Sequence, residues 1–120
     1  MVNKVILIGR AGNAPLIRDL GQNKSGKLSL ATSERFTNRN GEKVETTEWH
    51  NIQLWDKLAE VAEKYIIKGT LVYVEGKLKT EKYTDSQGAE KFYTSIVASK
   101  LQLLGKREAD GGMNDDDLPD

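Results

Sequence analysis

The segment at residues 47–55 alternates in side-chain character with a period of two, and it constrains the fold more than any other part of the chain. Strand side chains point alternately to opposite faces, so the pattern predicts a half-buried β-strand. Ile52 and Leu54 then face the core, whereas Trp49 and Trp55 lie on the opposite, polar face. Exposed indole rings are suited to stacking on nucleobases, at about 1 to 3 kcal/mol per base. The alternative is that one or both rings fill a subunit interface or a second core layer.

The segments around this strand predict an all-β chain with one α-helix. Apolar or alternating runs bounded by Gly, Asn, Asp and Ser predict the other strands. They lie at residues 5–8, 16–20, 28–32, 71–84 and 91–104, and the first two count as one split strand. The resulting order, with a helix between strands 3 and 4, is that of an oligonucleotide-binding (OB) fold, a five-stranded, partly open barrel.

A helical pattern begins directly after the strand that carries the two tryptophans. Asp56 is placed to act as the N-cap, and Gly69 is placed to supply the left-handed residue that ends the helix. An apolar stripe on the helix is expected to pack against the barrel. The stripe consists of Leu58, Val61, Ala62, Tyr65 and Ile66.

A second set of aromatic and basic side chains shares one face of the predicted strand at residues 71–84. Its members are Tyr73, Lys77, Lys79 and Tyr83. A groove that follows a single nucleic-acid strand needs lysines that contact phosphates and aromatic rings that stack on bases. Glu75 and Glu81 have the same parity, so an ordinary solvated strand face is the competing interpretation.

Charge is distributed unevenly along the chain, although the formal net charge is zero. All 18 Lys and Arg residues lie within residues 1–107 together with 12 acidic residues, a balance of about +6, and the other six acidic residues follow. A basic body attracts polyanions and a tethered acidic segment can compete with them, unless both are only solubilising surface. Because periodicity ends near residue 104, we expect one domain at residues 1–104 and a disordered linker and acidic tail at residues 105–120.

Motifs for catalysis or metal binding are not found in the sequence. The chain has no cysteine and one histidine, His50, which shares the core face of Ile52 and is expected to be a satisfied, partly buried imidazole. The glycine-rich segment at residues 9–12 lacks the Gly-Lys-Ser/Thr of a phosphate-binding loop. We therefore expect a protein that is not an enzyme and that uses no cofactor and no metal.

The beginning of the chain shows no targeting pattern. Lys4 is followed by only four consecutive aliphatic residues, which is too short a run for a signal peptide or a membrane span. A cytoplasmic location without membrane contact is therefore expected.

Several short motifs resemble those of the bacterial single-stranded DNA-binding protein (SSB) family. They are VNKVILIG at 2–9, LATSE at 30–34, TEWH at 47–50, KLAEVA at 57–62, KG at 68–69, VEG at 74–76 and YTD at 83–85. The resemblance implies a homotetramer that binds and protects single-stranded DNA, without strong sequence preference, during DNA replication, recombination and repair near the nucleoid. This family is itself a standard example of strand binding by an OB barrel. The apolar run at residues 5–8, typical of a strand covered on both faces, agrees with a subunit contact.

The resemblance also assigns residues to the DNA-binding surface. The aromatic positions are Phe36, Trp49, Trp55 and Tyr83, and the basic positions are Lys4, Lys57, Lys68, Lys79 and Lys82, to which strand parity adds Lys77. Phe36 has the parity of Leu28, so the pattern alone points it to the core unless a bulge reverses the face. Asn51 and Glu81 stand at positions where relatives often have a basic residue. His50 occupies a position that the resemblance associates with subunit contacts.

The acidic tail resembles the segment through which this family docks replication and repair proteins. The docking residues are Asp115, Asp116, Asp117, Leu118 and Pro119. The family's terminal Phe is replaced by Asp120, and the linker is shorter than is usual. Acidic docking with weakened anchoring is therefore the expectation.

Two other classes of function use the same barrel. An OB-fold accessory module that binds RNA or protein would not need a strand with two exposed tryptophans. A hydrolase or nuclease would need carboxylates and a metal that converge on one surface, and the sequence shows no such cluster. The pattern of aromatic and basic residues therefore favours a protein that binds single strands.

Overall fold

The computed structural model describes residues 1–104, and this part of the chain contains six strands and one helix. The elements are β1 (Val5–Ala11), β2 (Leu16–Asp19), β3 (Lys24–Thr37), β4 (Lys43–Trp55), α1 (Lys57–Tyr65), β5 (Leu71–Thr84) and β6 (Glu90–Leu103). The predicted tail at residues 105–120 lies outside the described residues. Within them, no helix is both long enough and apolar enough to cross a membrane.

Five strands close into a barrel in the order β1-β5-β6-β4-β3, and β1 returns to pair with β3. β2 is a short sixth strand at the outer edge of β3. Both β1 and β2 pair with β3, β1 at residues 30–31 and β2 at residues 24–27, so the first strand is split as predicted. The predicted OB architecture, with the helix after the β3–β4 hairpin, is confirmed.

The core lies inside the barrel and is built from alternate residues of the long strands. Its fully buried large side chains are Leu28, Leu30, Ile52, Leu54, Ile66, Val72 and Val74. Apart from Ile66, which directly follows α1, they alternate along β3, β4 and β5 with the period of two that makes one face of each strand apolar. Ala59 and Ala62 of α1 pack on this cluster at the end of the barrel.

Helix α1 begins after Asp56 as predicted, but the role of the Asp56 side chain and the apolar stripe differ from the prediction. The side chain of Asp56 makes no capping hydrogen bond to the helix. Its Oδ1 instead accepts a hydrogen bond of 3.1 Å from the backbone N–H of Lys24, and this contact ties the helix entry to β3. Tyr65, predicted in the apolar stripe, is 58% exposed. Gly69 has the expected positive φ of 93°, but it lies in a turn after the helix has ended.

β1 presents an apolar outer face that the single chain does not cover. Leu7 packs against the core, whereas Ile6 and Ile8 point outward and are about half exposed. They lie in register with Glu75 and Tyr73 of β5. The predicted burial of both faces of this strand is therefore not met within one chain.

Two hairpins continue beyond the barrel as two-stranded arms. β3 and β4 stay paired as far as Thr37 and Lys43, and β5 and β6 as far as Thr84 and Glu90. The residues of β3 at 33–37 and of β5 at 77–84 are all exposed, because a two-stranded ribbon has no second layer against which to bury a face. The arms therefore offer side chains on both of their faces to solvent.

Candidate nucleic-acid interface

The outward side of β4 carries both tryptophans. Trp49 is 60% exposed and Trp55 is 43% exposed, while Ile52 and Leu54 between them are buried. This is the arrangement that strand parity predicts. Six residues of strand place the two indoles roughly 20 Å apart.

Neighbouring strands extend this surface on both sides of β4. Trp55 pairs with Ser25 of β3 and Trp49 with Ala31, so the β3 residues beside the tryptophans are small. A row of registered residues then crosses four strands from β3 to β5, and it consists of Lys27, Gln53, Val97 and Lys77. Registered partners point to the same side of a sheet. We call this outward side of β3, β4, β6 and β5 the stacking face.

The β5 side of the stacking face carries the predicted mixture of basic and aromatic side chains. Lys77, Lys79 and Tyr83 are exposed there, and Glu81 lies among them. No ion pair within the described residues occupies either lysine. Their charges are therefore available to a polyanion.

Tyr73 and Glu75 take part in a polar cluster in the part of β5 that pairs with β1. The hydroxyl of Tyr73 donates a 2.6 Å hydrogen bond to Glu75, and Lys4 forms a 3.2 Å ion pair with the same carboxylate. These two contacts, the tyrosine bond first, hold the pKa of Glu75 below its ordinary value. The same bond raises the pKa of Tyr73. Of the predicted basic residues, Lys4 is therefore already paired.

Phe36 lies on the β3–β4 arm and is 48% exposed. Its parity matches that of Leu28, as noted from the sequence, yet it does not reach the core, because β3 has left the barrel at this point. The ring lines an open groove of about 510 Å³ together with Arg35, Thr37, Lys43, Val44 and Glu45. The core interpretation of Phe36 is wrong, and no bulge is needed to expose it.

The remaining predicted lysines do not join the stacking face. Lys82 has the opposite parity to Tyr83, lies in register with Phe92, and forms an ion pair with Glu90. Lys57 begins α1, and Lys68 lies in the turn that follows it. Both are exposed at the end of the barrel that the helix covers. The predicted basic residues thus form several separate points rather than one patch.

His50 is placed as the sequence predicts. It is half-buried in register with Leu30, and its Nε2 is 2.9 Å from the hydroxyl of Thr32. This hydrogen bond joins side chains on adjacent strands and satisfies one of the two ring nitrogens. Within residues 1–104 no group of three or more His, Cys, Asp or Glu residues is placed to hold a metal ion.

Two residues of the stacking face, Lys27 and Tyr93, and one loop residue beside it, Gly12, were not singled out from the sequence. Lys27 lies in register with Gln53, and its ammonium nitrogen is 6.0 Å from the ring centre of Tyr93 on β6. Gly12 lies against the ring of Trp49. The parity of β3 would have put Lys27 on this face. The parity of β6 likewise puts Tyr93 on the side of Val97, whereas no local signal identifies Gly12, because its partner is distant in sequence.

The predicted docking residues of the tail lie outside the described residues. They are Asp115, Asp116, Asp117, Leu118 and Pro119.

Comparison with known proteins places the chain in a family. The sequence model of the Single-strand binding protein family matches residues 2–104, which is the whole barrel and both arms. The chain belongs to this family.

Curated members of the single-strand binding protein family are similar over nearly the whole chain. A single-stranded DNA-binding protein of Neisseria meningitidis serogroup A is 46% identical over 112 residues, which cover 92% of this chain and 64% of that protein. Single-stranded DNA-binding protein 1 of Chlorobaculum tepidum is 42% identical over 116 residues, covering 95% of this chain and 72% of that protein. The chain thus spans a little less than two thirds of the Neisseria relative.

Solved structures of single-stranded DNA-binding proteins share the barrel. The Plasmodium falciparum SSB in complex with ssDNA superimposes with a TM-score of 0.79 at 38% identity, covering 87% of this chain and 96% of that one. A deletion mutant of the single-stranded DNA binding protein from Thermus aquaticus gives a TM-score of 0.75 at 28% identity, covering 88% of this chain and 52% of that one. The expected family resemblance is confirmed.

Proposed function

We propose that this chain binds and protects single-stranded DNA without strong sequence preference. The observation that carries the proposal is the placement of Trp49 and Trp55, two exposed indoles on the polar face of one strand. A monomer gains nothing in water from exposing such large rings. Membership of the single-strand binding protein family supports the same ligand.

The proposed mechanism combines stacking with charge. Every base has a π-face, so indole and phenol rings bind bases with little regard to sequence. Lys77 and Lys79 lie on the β5 side of the stacking face and neutralise phosphates, which releases counterions. Water-exposed stacking alone is weak per base, so affinity arises from several points along one strand.

The aromatic contacts are assigned to Phe36, Trp49, Trp55 and Tyr83. All four rings are between 43% and 60% exposed. The further phosphate contacts are assigned to Lys4, Lys57, Lys68 and Lys82. Lys4 and Lys82 must exchange a carboxylate partner for a phosphate, so we expect them to contribute less than the unpaired lysines.

A homotetramer is part of the proposal. The uncovered apolar face of β1, with Ile6 and Ile8, is suited to burial against a second copy of the chain. The assignment of His50 to subunit contacts rests on the family resemblance. Sedimentation at working concentration tests this part, and a monomer there would remove it.

The biological role is proposed from the same ligand. A non-enzymatic single-strand binder acts in DNA replication, recombination and repair, and its ligand places it in the cytoplasm with the nucleoid. We propose that the acidic segment at residues 105–120 recruits genome-maintenance proteins through charge. A pull-down that compares residues 1–104 with the full chain tests this role.

A tryptophan-fluorescence titration tests the central proposal. Oligo-dT, duplex DNA and single-stranded RNA are added at low and at high salt. We expect strong quenching by oligo-dT that weakens but persists at high salt, because stacking is less sensitive to salt than phosphate contacts are. No quenching, or an equal response to duplex DNA, would leave an OB-fold accessory module for RNA or protein.

A further inference from the structure

The space between the two tryptophans contains one cation on β3 and β4. Between the levels of Trp49 and Trp55, the outward residues are Ser29, Lys27, Asn51 and Gln53. A nucleic-acid strand that stacks bases on both indoles must cross this interval of roughly 20 Å. Its backbone therefore passes beside Lys27.

The charge of Lys27 is not neutralised by the protein. Its cross-strand partners are Leu16 on one side and Gln53 on the other, both uncharged. None of the ion pairs within the described residues includes it. On the same strand, Lys24 differs, since its ammonium group lies 3.0 Å from a carboxylate oxygen of Glu63.

Lys27 is held over an aromatic ring instead. Its ammonium nitrogen lies 6.0 Å from the ring centre of Tyr93, which is half-buried on β6. A cation over a ring keeps its full charge and its hydrogen-bond donors, while the long side chain loses part of its freedom before any ligand arrives. Pre-ordering of this kind lowers the entropy cost of binding.

We propose that Lys27 is a phosphate contact in the middle of the stacking face and that Tyr93 is its positioning residue. The inference rests on the proposed function, and it adds a contact between the two stacking sites. Lys27 then bridges β3 and β6 across the surface that the DNA covers. Tyr93 acts through Lys27 and not by stacking on a base.

Salt dependence of oligo-dT binding tests the assignment of Lys27. A lost phosphate contact lowers the slope of log affinity against log salt by about 0.7 for single strands. Lys27→Gln should therefore bind about fivefold more weakly at 0.1 M salt, with the difference vanishing toward 1 M. Lys27→Arg keeps the charge and should retain the slope. Lys24→Gln, the matched control on the same strand, should also retain the slope, because Glu63 already neutralises Lys24.

The result that overturns the assignment is a wild-type slope in Lys27→Gln while the wild-type chain binds oligo-dT. Absence of binding by the wild-type chain would overturn the proposed function as well, so the two failures are distinguishable. Equal melting temperatures of the variants establish that a change in slope is not a loss of fold.

A double-mutant cycle tests the role of Tyr93. Tyr93→Leu should weaken binding in the wild-type background and have no further effect in the Lys27→Gln background, because a positioning residue acts only through its partner. A loss that persists without Lys27 overturns the positioning role and identifies Tyr93 as a contact of its own. Tyr65→Leu, at an exposed ring on the helix, is the control for removal of an aromatic side chain.

Discussion

The ring of Trp49 occupies the space that a side chain at Gly12 would fill. A Cβ atom at Gly12 would overlap ring carbon Cζ3 of Trp49 and lie 2.9 Å from Cη2. The backbone N–H of Gly12 donates a 2.8 Å hydrogen bond to the carbonyl of Ser29, which holds this loop against β3. The absence of a side chain at one loop position therefore sets where a proposed stacking ring can lie.

Gly12→Ala should weaken oligo-dT binding by displacing this ring. The φ of Gly12 lies outside the left-handed region, so alanine fits the backbone and the indole must move. We expect a loss of about fivefold or more, near the lower limit for one stacked base of about 1 kcal/mol. Fluorescence titration measures the loss. Ala14→Val, at an exposed position in the same loop, is the control, and unchanged binding by Gly12→Ala would contradict the prediction.

Replacing either tryptophan by leucine should weaken binding to oligo-dT. Each of Trp49→Leu and Trp55→Leu removes one stacking platform, with an expected loss of about 1 to 3 kcal/mol. Thermal stability should change little, because each ring is about half exposed and lies outside the buried core. Tyr65→Leu is the matched control, since Tyr65 is equally exposed but lies on α1. Losses equal to that of the control would argue against stacking at these positions.

Protonation of Glu75 at acid pH should destabilise the folded protein. Its pKa is lowered in the folded chain by the Tyr73 hydrogen bond and by Lys4. The folded chain therefore binds this proton less readily than the unfolded chain, so the stabilisation is present above the ordinary pKa of about 4.5. It is lost as the pH falls through the lowered value.

Melting temperatures measured from pH 7 down to pH 3 test this dependence. In Glu75→Gln the acid-induced fall should be smaller than in the wild-type chain. Glu81→Gln, on the same face of β5 and outside the ion pairs of residues 1–104, is the control. The same fall in Glu75→Gln and in the wild-type chain would refute the assignment.

Gly76→Ala should destabilise the barrel. A Cβ at this position would overlap the backbone carbonyl oxygen of Val97 and lie 3.0 Å from Cα of Ala98. Neither is the end of a flexible side chain, so β5 and β6 must separate where their register shifts. We expect a loss of about 2 to 4 kcal/mol in the free energy of unfolding. Thr80→Ala in the exposed arm is the control. Urea unfolding measures the free energy of unfolding of both variants and of the wild-type chain.

Most of the fold follows from local patterns in the sequence. The alternation at residues 47–55 correctly separates Ile52 and Leu54 from Trp49 and Trp55, because the period of two is a property of any extended strand. The helix after it is found as well. Its N-cap position at Asp56 is correct, but the side chain bonds to the backbone of Lys24 instead of capping the helix, and propensity alone contains no information about that distant partner.

The candidate site is only partly contained in those patterns. Parity predicts Lys77, Lys79 and Tyr83 on one face, and their unbroken register along β6 agrees with it. It points Phe36 toward a core that β3 has already left, because the length of strand enclosed by a barrel depends on the other strands and not on its own sequence.

The sequence by itself determined the order of six strands and one helix, the alternation of side chains along each strand and which family the chain resembles. These are local properties, fixed by backbone geometry and by short motifs. Only the tertiary structure decided which faces meet. The contact of Gly12 with Trp49 and the position of Lys27 over Tyr93 depend on cross-strand register and barrel closure, and both bring together residues that are far apart in the chain.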